Sequence, residues 1–467
     1  MNEATLKPVK RRCLIIADDL TGGADTGVQF AKRGLKTLLV SFGADESAPF
    51  ADHAVQEPDL LVINTISRGL SPVKAAETIS KLLKNFATGD FPILYKKIDS
   101  TLRGNVGAEI DAILRETSLP LCFLAPSYPE QNRILKAGIM MVGEKPIALT
   151  EAAADAASPV RESNVVNLLA RQTSLPVGRI DWTDVASGTE ALRRAVDKER
   201  KAGRRIIVFD AVSRRDLAVI SEVAFAMERM PLLAGSAGLA GEIAKRMVSN
   251  EASLAPEGPA ADRTFRHLFV VSGSASAVAR LQSARLEEAG LAVFELPRSF
   301  LDENGGGSAD ERQQLAGRIG IALTGGSVIF RTMSERLSAA ENDNIPLHQR
   351  ITDLLADVAV AALEEAQVNA HDLALILTGG DTALAVLQRL DLTGLEIEGE
   401  LPGGSVRGRL RGGRWDGLAV VTKAGAFGED DTLVRVMERL IVPIQAGDGQ
   451  GATRPAETTV DKIGQMQ

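Results

Sequence analysis

The fold is decided by the stretch LIIADDLTGGADTGVQFAKRGLKTLLV, residues 14–40. A short apolar run leads directly into Asp18 and Asp19, and Thr21 and two glycines follow. Apolar residues then recur at helical spacing until a second apolar run begins at Thr37. A short apolar run, an amphipathic helix and another short run are typical of a β-α-β unit. The stretch therefore predicts a buried strand that delivers carboxylates to the edge of a parallel sheet.

The same alternation continues along the chain and predicts two series of strands. The first series is expected at 13–17, 37–40, 60–64, 93–98, 121–125 and 205–210, with helices at 73–86 and 106–117. The second series is expected at 267–274, 291–297, 327–331, 373–380 and 418–425. Strands that alternate with helices favour an α/β fold. We predict two domains, each a mostly parallel sheet flanked by helices, with the ligand site in the cleft between them.

The length of 467 residues exceeds what one ordinary core accommodates and agrees with two domains. The segment NEASLAPEGPAADRT, 250–264, is rich in Ala, Pro and Gly and poor in strand formers. It predicts a linker between an N-terminal domain, 1–249, and a C-terminal domain, 265–445. The polar, aperiodic residues 446–467 predict a disordered tail.

Composition excludes several classes of function. A net charge of -8 argues against nucleic acid or an anionic membrane as the partner, because both require a basic surface. No run approaches the roughly 18 apolar residues of a membrane span. The polar, basic start is unlike a secretory signal, and we expect a cytoplasmic protein with Cys13 and Cys122 reduced and buried. Four histidines without ligand spacing give no support for structural zinc.

Polar residues follow several strands of the first series. Ligands of open parallel sheets bind at the carboxyl ends of the strands, so these residues are expected to converge. They are Asp18, Asp19, Asn64, Ser67, Arg68, Lys97, Asp99, Ser100, Thr101, Arg103, Asn132 and Arg133. Carboxylates accept hydrogen bonds from sugar hydroxyls and cations bind a carboxylate, so the set suits a small polyhydroxy acid. Asp18 or Asp19 alone is equally well explained as the cap of a helix that begins near Thr21.

The strands of the second series end in glycine-rich loops. The loops are SGSAS (272–276), TGGS (324–327), TGGDT (378–382), PGGS (402–405) and KAGAFG (423–428). Glycine lets the backbone approach an anion, and several such loops indicate a nucleotide site. The sequence contains neither GxxxxGK(S/T) nor a clear GxGxxG. Lys423 is either a phosphate ligand or a surface cation, and Asp381 either binds phosphate-bound Mg²⁺ or caps the helix from Thr382.

A domain suited to a polar acid and a domain suited to phosphate together indicate a small-molecule kinase. The motifs IADDLTGGADTGVQFAKRG, NTISR, YKKIDSTLRGNVGAEI, VSGSAS, TGGDTA and VTKAGAFG, spread over residues 12–440, resemble the four-carbon acid sugar kinase family. The resemblance implies that the N-terminal domain binds the acid and the C-terminal domain binds ATP. It also implies transfer of the γ-phosphoryl group to the terminal hydroxyl. ASPVRESNVVNLL, TGGDT and VTKAGAFG are most similar to the branch that phosphorylates D-threonate, and a sister branch acts on 3-oxo-tetronates.

The resemblance also implies roles for individual residues. The implied substrate-binding residues are Asp18, Asp19, Arg68, Lys97, Asp99, Ser100 and Thr101. The implied nucleotide-binding residues are Ser274, Gly379, Gly380, Asp381, Thr382 and Gly425. We expect ATP with Mg²⁺ as cofactors, Asp19 or Asp99 as the base, and Arg68 or Lys97 on the substrate carboxylate. The metal ligands are not specified.

The expected partners are a small sugar acid and further copies of the same chain, with no nucleic acid and no membrane. Two other classes of protein are weighed. A nicotinamide-dependent oxidoreductase requires a dinucleotide fingerprint, and a sugar-acid sensor requires an output module such as a basic DNA-binding helix pair. The sequence shows neither feature.

Overall fold

The computed structural model describes residues 12–42, 58–86, 88–155, 158–248, 264–274, 276–301, 307–332 and 347–441. The predicted linker, except Thr264, and the predicted tail lie outside these ranges. The two domain boundaries therefore stay predictions.

The N-terminal half alternates strands and helices as predicted, with short four-residue strands added. Its strands are β1 (Cys13–Ala17), β2 (Thr37–Ser41), β3 (Leu60–Asn64), β4 (Ile93–Lys97), β5 (Cys122–Ala125), β6 (Arg133–Lys136), β7 (Ile139–Val142), β8 (Lys145–Pro146), β9 (Val177–Ile180), β10 (Ile206–Phe209) and β11 (Leu232–Gly235). Its α-helices are α1 (Leu20–Ala31), α2 (Pro72–Asn85), α3 (Val106–Thr117), α4 (Val165–Ala170), α5 (Trp182–Ala186), α6 (Thr189–Lys201), α7 (Arg214–Phe225) and α8 (Ala237–Met247). Strands β6 to β9 and β11 were not predicted. For β11 the reason is that its apolar run continues into the apolar residues of α8.

The C-terminal half repeats this alternation. Its strands are β12 (His267–Ser272), β13 (Ala292–Glu295), β14 (Val328–Arg331), β15 (Leu373–Thr378), β16 (Gly394–Leu401), β17 (Ser405–Arg411) and β18 (Ala419–Lys423). Its α-helices are α9 (Ala277–Glu288), α10 (Ala309–Gly325), α11 (Leu347–Glu365), α12 (Gly380–Arg389) and α13 (Thr432–Leu440). Among the described residues, no helix is both long and apolar enough to cross a bilayer.

The strands of both halves form one 15-stranded sheet in the order β13-β14-β12-β15-β18-β17-β16-β2-β3-β1-β4-β11-β5-β10-β9. All neighbours are parallel except at β16 and β17, which pair antiparallel with each other, with β18 and with β2. The predicted α/β class with a mostly parallel sheet is confirmed. The pairing of β16 with β2 was not predicted, and it joins the sheets of the two halves edge to edge. A separate three-stranded antiparallel sheet contains β6, β7 and β8.

Strand β1 shows why the sheet carries helices on both faces. All five of its residues are buried, and successive side chains point to opposite sides. Ile15 packs into one hydrophobic core, whereas Leu14 and Ile16 pack into the other. Continuous apolar runs of this kind fit parallel strands covered on both sides. Cys13 lies in β1 and Cys122 in β5, and both are buried without a disulfide, as predicted.

The hairpin of β16 and β17 was not predicted, although its sequence carries a signal. Apolar residues alternate with charged ones in both strands, and Pro402–Gly404 forms the turn between them. Glu398 of β16 forms ion pairs across the hairpin with Arg407, at 3.1 Å, and with Arg409. The glycines of 402–405 predicted a phosphate loop. In the structure the same residues lie at a tight turn between two antiparallel strands.

Helix α1 lies against strands from both halves. A Cβ on Gly27 would lie 2.6 Å from Ile397 Cδ1 of β16 and 3.1 Å from Thr37 Cγ2 of β2. Only glycine permits so close an approach of a helix to a sheet. The first turn of α1, with its aspartates, is thereby held at the junction of the two halves.

Candidate functional site

A cleft of about 420 Å³ opens at the junction of the two halves. Residues of the N-terminal half form one side, and residues between Gly404 and Phe427 form the other. The charged and hydroxyl side chains that line it are Asp19, Thr21, Asp25, Arg68, Lys97, Asp99, Ser100, Thr101, Arg103, Arg133, Thr150, Glu151, Asp155 and Thr422. Most of the predicted substrate-binding residues thus lie around one cavity, because the loops after β1, β3 and β4 leave the same edge of the sheet.

Asp18 and Asp19, which follow β1, are tied to Arg68 in the loop after β3. Arg68 donates to both carboxylate oxygens of Asp18, from Nε at 3.0 Å and from Nη2 at 2.9 Å, and also contacts Asp19. Burial opposes ionisation of Asp18, but Arg68 and Lys96 lower its pKa overall. Asp19 is the cap of α1, since it accepts from Gly22 N at 3.2 Å and Thr21 Oγ1 at 2.7 Å. The cap interpretation is confirmed for Asp19 and wrong for Asp18.

Asp99, after β4, is held by the residues that follow it. Arg103 donates Nε to Asp99 Oδ2 at 2.8 Å and Nη2 to Oδ1 at 3.2 Å, and Thr101 Oγ1 donates to Oδ2 as well. Burial opposes ionisation, but Arg103 and Arg68 bring the pKa of Asp99 well below its ordinary value. Arg103 also donates to Asp155 at 2.9 Å. Asp99 is therefore a strongly stabilised anion.

Two cations in the cleft make no ion pair within the described part of the chain. Lys97 is 4% exposed and donates to Ile98 O at 2.8 Å. Arg133 donates to Ser100 Oγ and stacks 5.1 Å from the ring centre of Phe427, and its buried Nε has no hydrogen-bond partner. Burial lowers the pKa of Arg133, and Asp99 opposes this effect. Cations left without a carboxylate are suited to an anionic ligand.

A buried ion pair supports this cluster from below. Lys96 and Glu109 are each 1% exposed and lie 2.6 Å apart. Ser67 donates to the other oxygen of Glu109 at 2.9 Å and contacts Thr65. Burial raises the pKa of Glu109, although Lys96 lowers it in turn. The pair anchors the start of α3 beneath the loop that carries Arg68.

The predicted nucleotide residues converge at the junction with the first turn of α1. A Cβ on Gly425 would lie 2.7 Å from Ser274 Cβ, and one on Gly379 would lie 3.3 Å from Thr382 Oγ1. A Cβ on Gly380 would lie 3.2 Å from Thr21 Oγ1, so the first turns of α12 and α1 face each other. Converging helix N-termini favour a bound anion. The role of these loops in binding a nucleotide stays a prediction.

The structure excludes one of the two alternative roles considered for Lys423 and one of the two considered for Asp381. Lys423 is 1% exposed and donates to Ala424 O at 2.9 Å, so its interpretation as a surface cation is wrong. Burial lowers the pKa of Lys423 to about 8. Gly379 is the N-cap of α12 and Asp381 lies exposed in the first turn, so its interpretation as a cap is also wrong. The described residues contain no group of three or more His, Cys, Asp or Glu that could hold a metal ion.

Asp25 and Phe427 line the cleft and were not predicted as site residues. Asp25 lies one helical turn after Thr21 on α1, so its spacing from the glycines of the motif was a usable signal. Phe427 reaches the cleft from the loop after β18 and contacts Arg133 of β6. No sequence pattern indicates that contact, because the two residues belong to different halves.

Comparison with known proteins matches both halves to described domains. Residues 13–243 match the family model of a sugar-binding N-terminal domain, and residues 269–433 match that of a nucleotide-binding C-terminal domain. A Salmonella typhimurium protein of known structure shares the fold, with a TM-score of 0.74 and 20% identity over 92% of this chain and 99% of its own.

Curated relatives extend over nearly the whole chain. A D-threonate kinase of Salmonella typhimurium is 32% identical, covering 90% of this chain and 96% of its own. A D-erythronate kinase of Heliobacterium modesticaldum is 29% identical, covering 95% of this chain and 99% of its own. A 3-oxo-tetronate kinase of Methylobacterium radiotolerans is 26% identical, covering 91% and 98%.

A sugar-binding and a nucleotide-binding domain around one cleft define a small-molecule kinase, a phosphotransferase whose acceptor is a hydroxyl group. The chain belongs to the four-carbon acid sugar kinase family. The resemblance drawn from the motifs is thereby confirmed.

Proposed function

We propose that the protein transfers the γ-phosphoryl group of ATP, bound as its Mg²⁺ complex, to the 4-hydroxyl of D-threonate. The observation that carries the proposal is the approach of the first turns of α12 and α1, since a Cβ on Gly380 would lie 3.2 Å from Thr21 Oγ1. This approach brings the glycine loop at the start of α12 next to Thr21, which lines the cleft of the acid-binding cluster. The names of the relatives support a four-carbon acid as the acceptor.

The acid is recognised by charge and by hydroxyl contacts. Lys97 and Arg133 hold its carboxylate, because both lack a carboxylate partner among the described residues. Asp19 and Asp99 accept hydrogen bonds from its hydroxyls, and Ser100 and Thr101 complete this part of the site. Arg68 and Asp18 orient Asp19, since the three side chains form one ion-paired unit.

The nucleotide occupies the loops of the C-terminal half. Ser274, Gly379 to Thr382 and Gly425 approach its phosphates, and the Lys423 ammonium offsets their charge. Mg²⁺ in such sites takes one or two carboxylates with the phosphates, so the absence of a larger acidic cluster from the described ranges is compatible with it. ATP supplies the phosphoryl group, and the protein supplies position and charge.

A coupled ADP-release assay tests the proposal. Purified protein with Mg·ATP is given D-threonate, L-threonate, D-erythronate, 3-oxo-tetronate and longer aldonic acids. We expect the highest kcat/KM with D-threonate and none after EDTA is added. Preference for D-erythronate or 3-oxo-tetronate would retain the kinase class and replace the substrate. An absence of ADP release with every acid would overturn the proposal. The homo-oligomer stays a prediction, which sedimentation analysis would test.

A further inference from the structure

Asp25 is a half-buried carboxylate of the cleft without a partner among the described residues. Asp25 lies on α1, four residues after Thr21 and three after Gly22, so its side chain shares the face of the helix that meets the cleft. Within the described ranges, no hydrogen bond or ion pair reaches its carboxylate; only its backbone carbonyl accepts a bond, from Gln29 at 3.3 Å. A partly buried carboxylate without a donor is costly for the fold, so a role in the reaction is the simplest reason for it.

Asp19 and Asp99, the two carboxylates predicted as the base, are engaged, and Glu151 of the cleft is exposed. Asp19 accepts from Arg68, Thr21 and the backbone of α1. Asp99 accepts a two-point contact from Arg103. Oxygens that already receive strong donors bind a proton weakly. Asp99, whose pKa lies well below its ordinary value, is therefore poorly suited to remove a proton, and Asp19 is committed to Arg68 and to the cap of α1.

We propose that Asp25 is the general base that removes the proton from the substrate hydroxyl during phosphoryl transfer. The inference rests on the proposed kinase function and assigns the base within that site. Asp25 is on the same helix as Thr21, which faces the first turn of α12, and it lines the cleft together with Lys97 and Arg133. The hydroxyl of an acid held by these two cations would therefore lie in the cavity that Asp25 lines.

The groups around Asp25 set its basicity. Those that face it are Lys32 at the C-cap of α1, Tyr95 and Lys97 on β4, Tyr128 in the loop after β5, Arg133 at the start of β6, and Glu400 on β16. Burial raises the pKa of Asp25 to about 6, with Lys97 lowering and Glu400 raising it. Such a group is ionised at pH 7 to 8 and still basic enough to accept a proton in the transition state.

The step balances without another reactant besides the nucleoside triphosphate. The hydroxyl O–H bond breaks and the proton moves to the Asp25 carboxylate. The hydroxyl oxygen forms a bond to the γ-phosphorus, and the bond from that phosphorus to the β–γ bridging oxygen breaks. The bridging oxygen leaves with its electron pair on the nucleoside diphosphate. Asp25 returns its proton to solvent once the products have left.

The experiment compares Asp25→Asn with the unmodified enzyme across pH 5 to 9. Asparagine has the same shape and cannot accept the proton. We expect kcat to fall about 10²- to 10⁴-fold while the KM of the acid changes less than about threefold. The kcat of the unmodified enzyme should decrease below about pH 6, and the residual rate of the variant should lack that decrease. Asp184→Asn, an exposed position on α5, is the matched control and should keep kcat and KM.

Three results would overturn the assignment. A kcat of Asp25→Asn within about threefold of the unmodified enzyme, or a loss confined to KM, would show that Asp25 is not the base. If kcat of the variant also decreases below about pH 6, that decrease is caused by a group other than Asp25. If the variant does not fold, as judged by its thermal unfolding, a pH-independent kcat of the unmodified enzyme from pH 5 to 7 would exclude Asp25. If one of these results is obtained and the unmodified enzyme still releases ADP, the assignment of Asp25 is wrong and the proposed kinase function stands. If the unmodified enzyme releases no ADP with any acid, both the kinase function and the role of Asp25 are wrong.

Discussion

Arg68 donates two parallel hydrogen bonds to Asp18, at 3.0 Å from Nε and 2.9 Å from Nη2, and so joins the loop after β3 to the end of β1. Arg68 also contacts Asp19, and the two aspartates raise the pKa of the guanidinium although its burial opposes this. The charge of Arg68 is thus already balanced before an acid binds. Arg133 differs, because its buried Nε has no partner and no carboxylate pairs with it in the described ranges.

The two arginines are therefore expected to respond differently to substitution. Arg133→Met should raise the KM of the acid about 10- to 100-fold, since a charged hydrogen bond contributes about 1.5–3 kcal/mol. Arg68→Met should lower the free energy of unfolding by about 3 kcal/mol, because it leaves buried carboxylates unpaired. Steady-state kinetics and urea unfolding measure the two effects. A normal KM in Arg133→Met would place the substrate carboxylate elsewhere.

The Lys96–Glu109 pair is expected to tolerate removal of both partners better than removal of one. Glu109→Leu alone leaves an ammonium that is 1% exposed and should cost about 3–5 kcal/mol of unfolding free energy. The double variant Lys96→Met with Glu109→Leu should recover most of that loss. Urea unfolding of the four proteins gives the coupling energy. If the loss in the double variant equals the sum of the two single losses, the stability contributions of Lys96 and Glu109 are independent and the prediction is wrong.

Alanine at Gly425 is expected to be harmful because of its contact with Ser274. An alanine Cβ at Gly425 would lie 2.7 Å from Ser274 Cβ, and the next neighbour, Gly379 Cα, would be 3.8 Å away. Gly425→Ala should weaken ATP binding at least about tenfold, as overpacking of about 1–3 kcal/mol shifts the loop. Combining Ser274→Gly with Gly425→Ala should restore the free energy of unfolding, because it removes the side chain that the new Cβ would approach.

Calorimetric titration with a non-hydrolysable ATP analogue provides the affinities for this test. Gly399→Ala is the control, because no atom lies within 4 Å of the added Cβ. Equal affinity losses in Gly399→Ala and Gly425→Ala would show that the loss is unrelated to the Ser274 contact.

Lys423 is expected to reduce stability and to support nucleotide binding. Lys423→Met removes a buried ammonium, so the ligand-free protein should be about 1 kcal/mol more stable, yet its ATP affinity should fall at least about tenfold. Burial lowers the pKa of Lys423 to about 8, and phosphate needs the charged form. ATP affinity of the unmodified protein should therefore decrease above pH 8, a decrease that Lys423→Met should lack. An unchanged affinity in the variant would remove Lys423 from the phosphate site.

Asp25 is expected to lower stability at neutral pH. Because burial raises its pKa to about 6, above the value of about 3.9 in an unfolded chain, the folded protein binds the proton more tightly. The resulting stability is present below about pH 4 and is lost as pH rises through about 6. Asp25→Asn should therefore increase the unfolding free energy by on the order of 1–2 kcal/mol at pH 7.5 and by little at pH 4. A stabilisation of equal size at both pH values would contradict this cause.

Much of the architecture was predictable because apolar periodicity reports local structure directly. Strand β1 matches the predicted 13–17 and helix α3 the predicted 106–117. Strand β11 escaped notice, since four apolar residues that run into a helix carry no period of their own. The pairing of β16 with β2 also escaped, because it depends on which strand edges meet.

The site was predictable in its membership and less so in its roles. Residues that follow parallel strands must converge, so Asp19, Lys97 and Asp99 were found from their positions alone. Their ionic partners were not predictable, since a pair such as Asp19 with Arg68 joins residues far apart in the chain. Asp25 appeared as a site residue only when the orientation of α1 was known.

The sequence by itself determined the α/β class, much of the order of strands and helices, the family and the loops that line the candidate site. These features depend on local spacing and on short motifs, and both can be read along the chain. The tertiary structure alone decided that Lys423 is buried, that Arg68 is already paired and that Asp25 has no partner in the described part of the chain. Burial and charge pairing depend on which distant residues come within a few ångströms, and they decide which carboxylate is free to accept a proton.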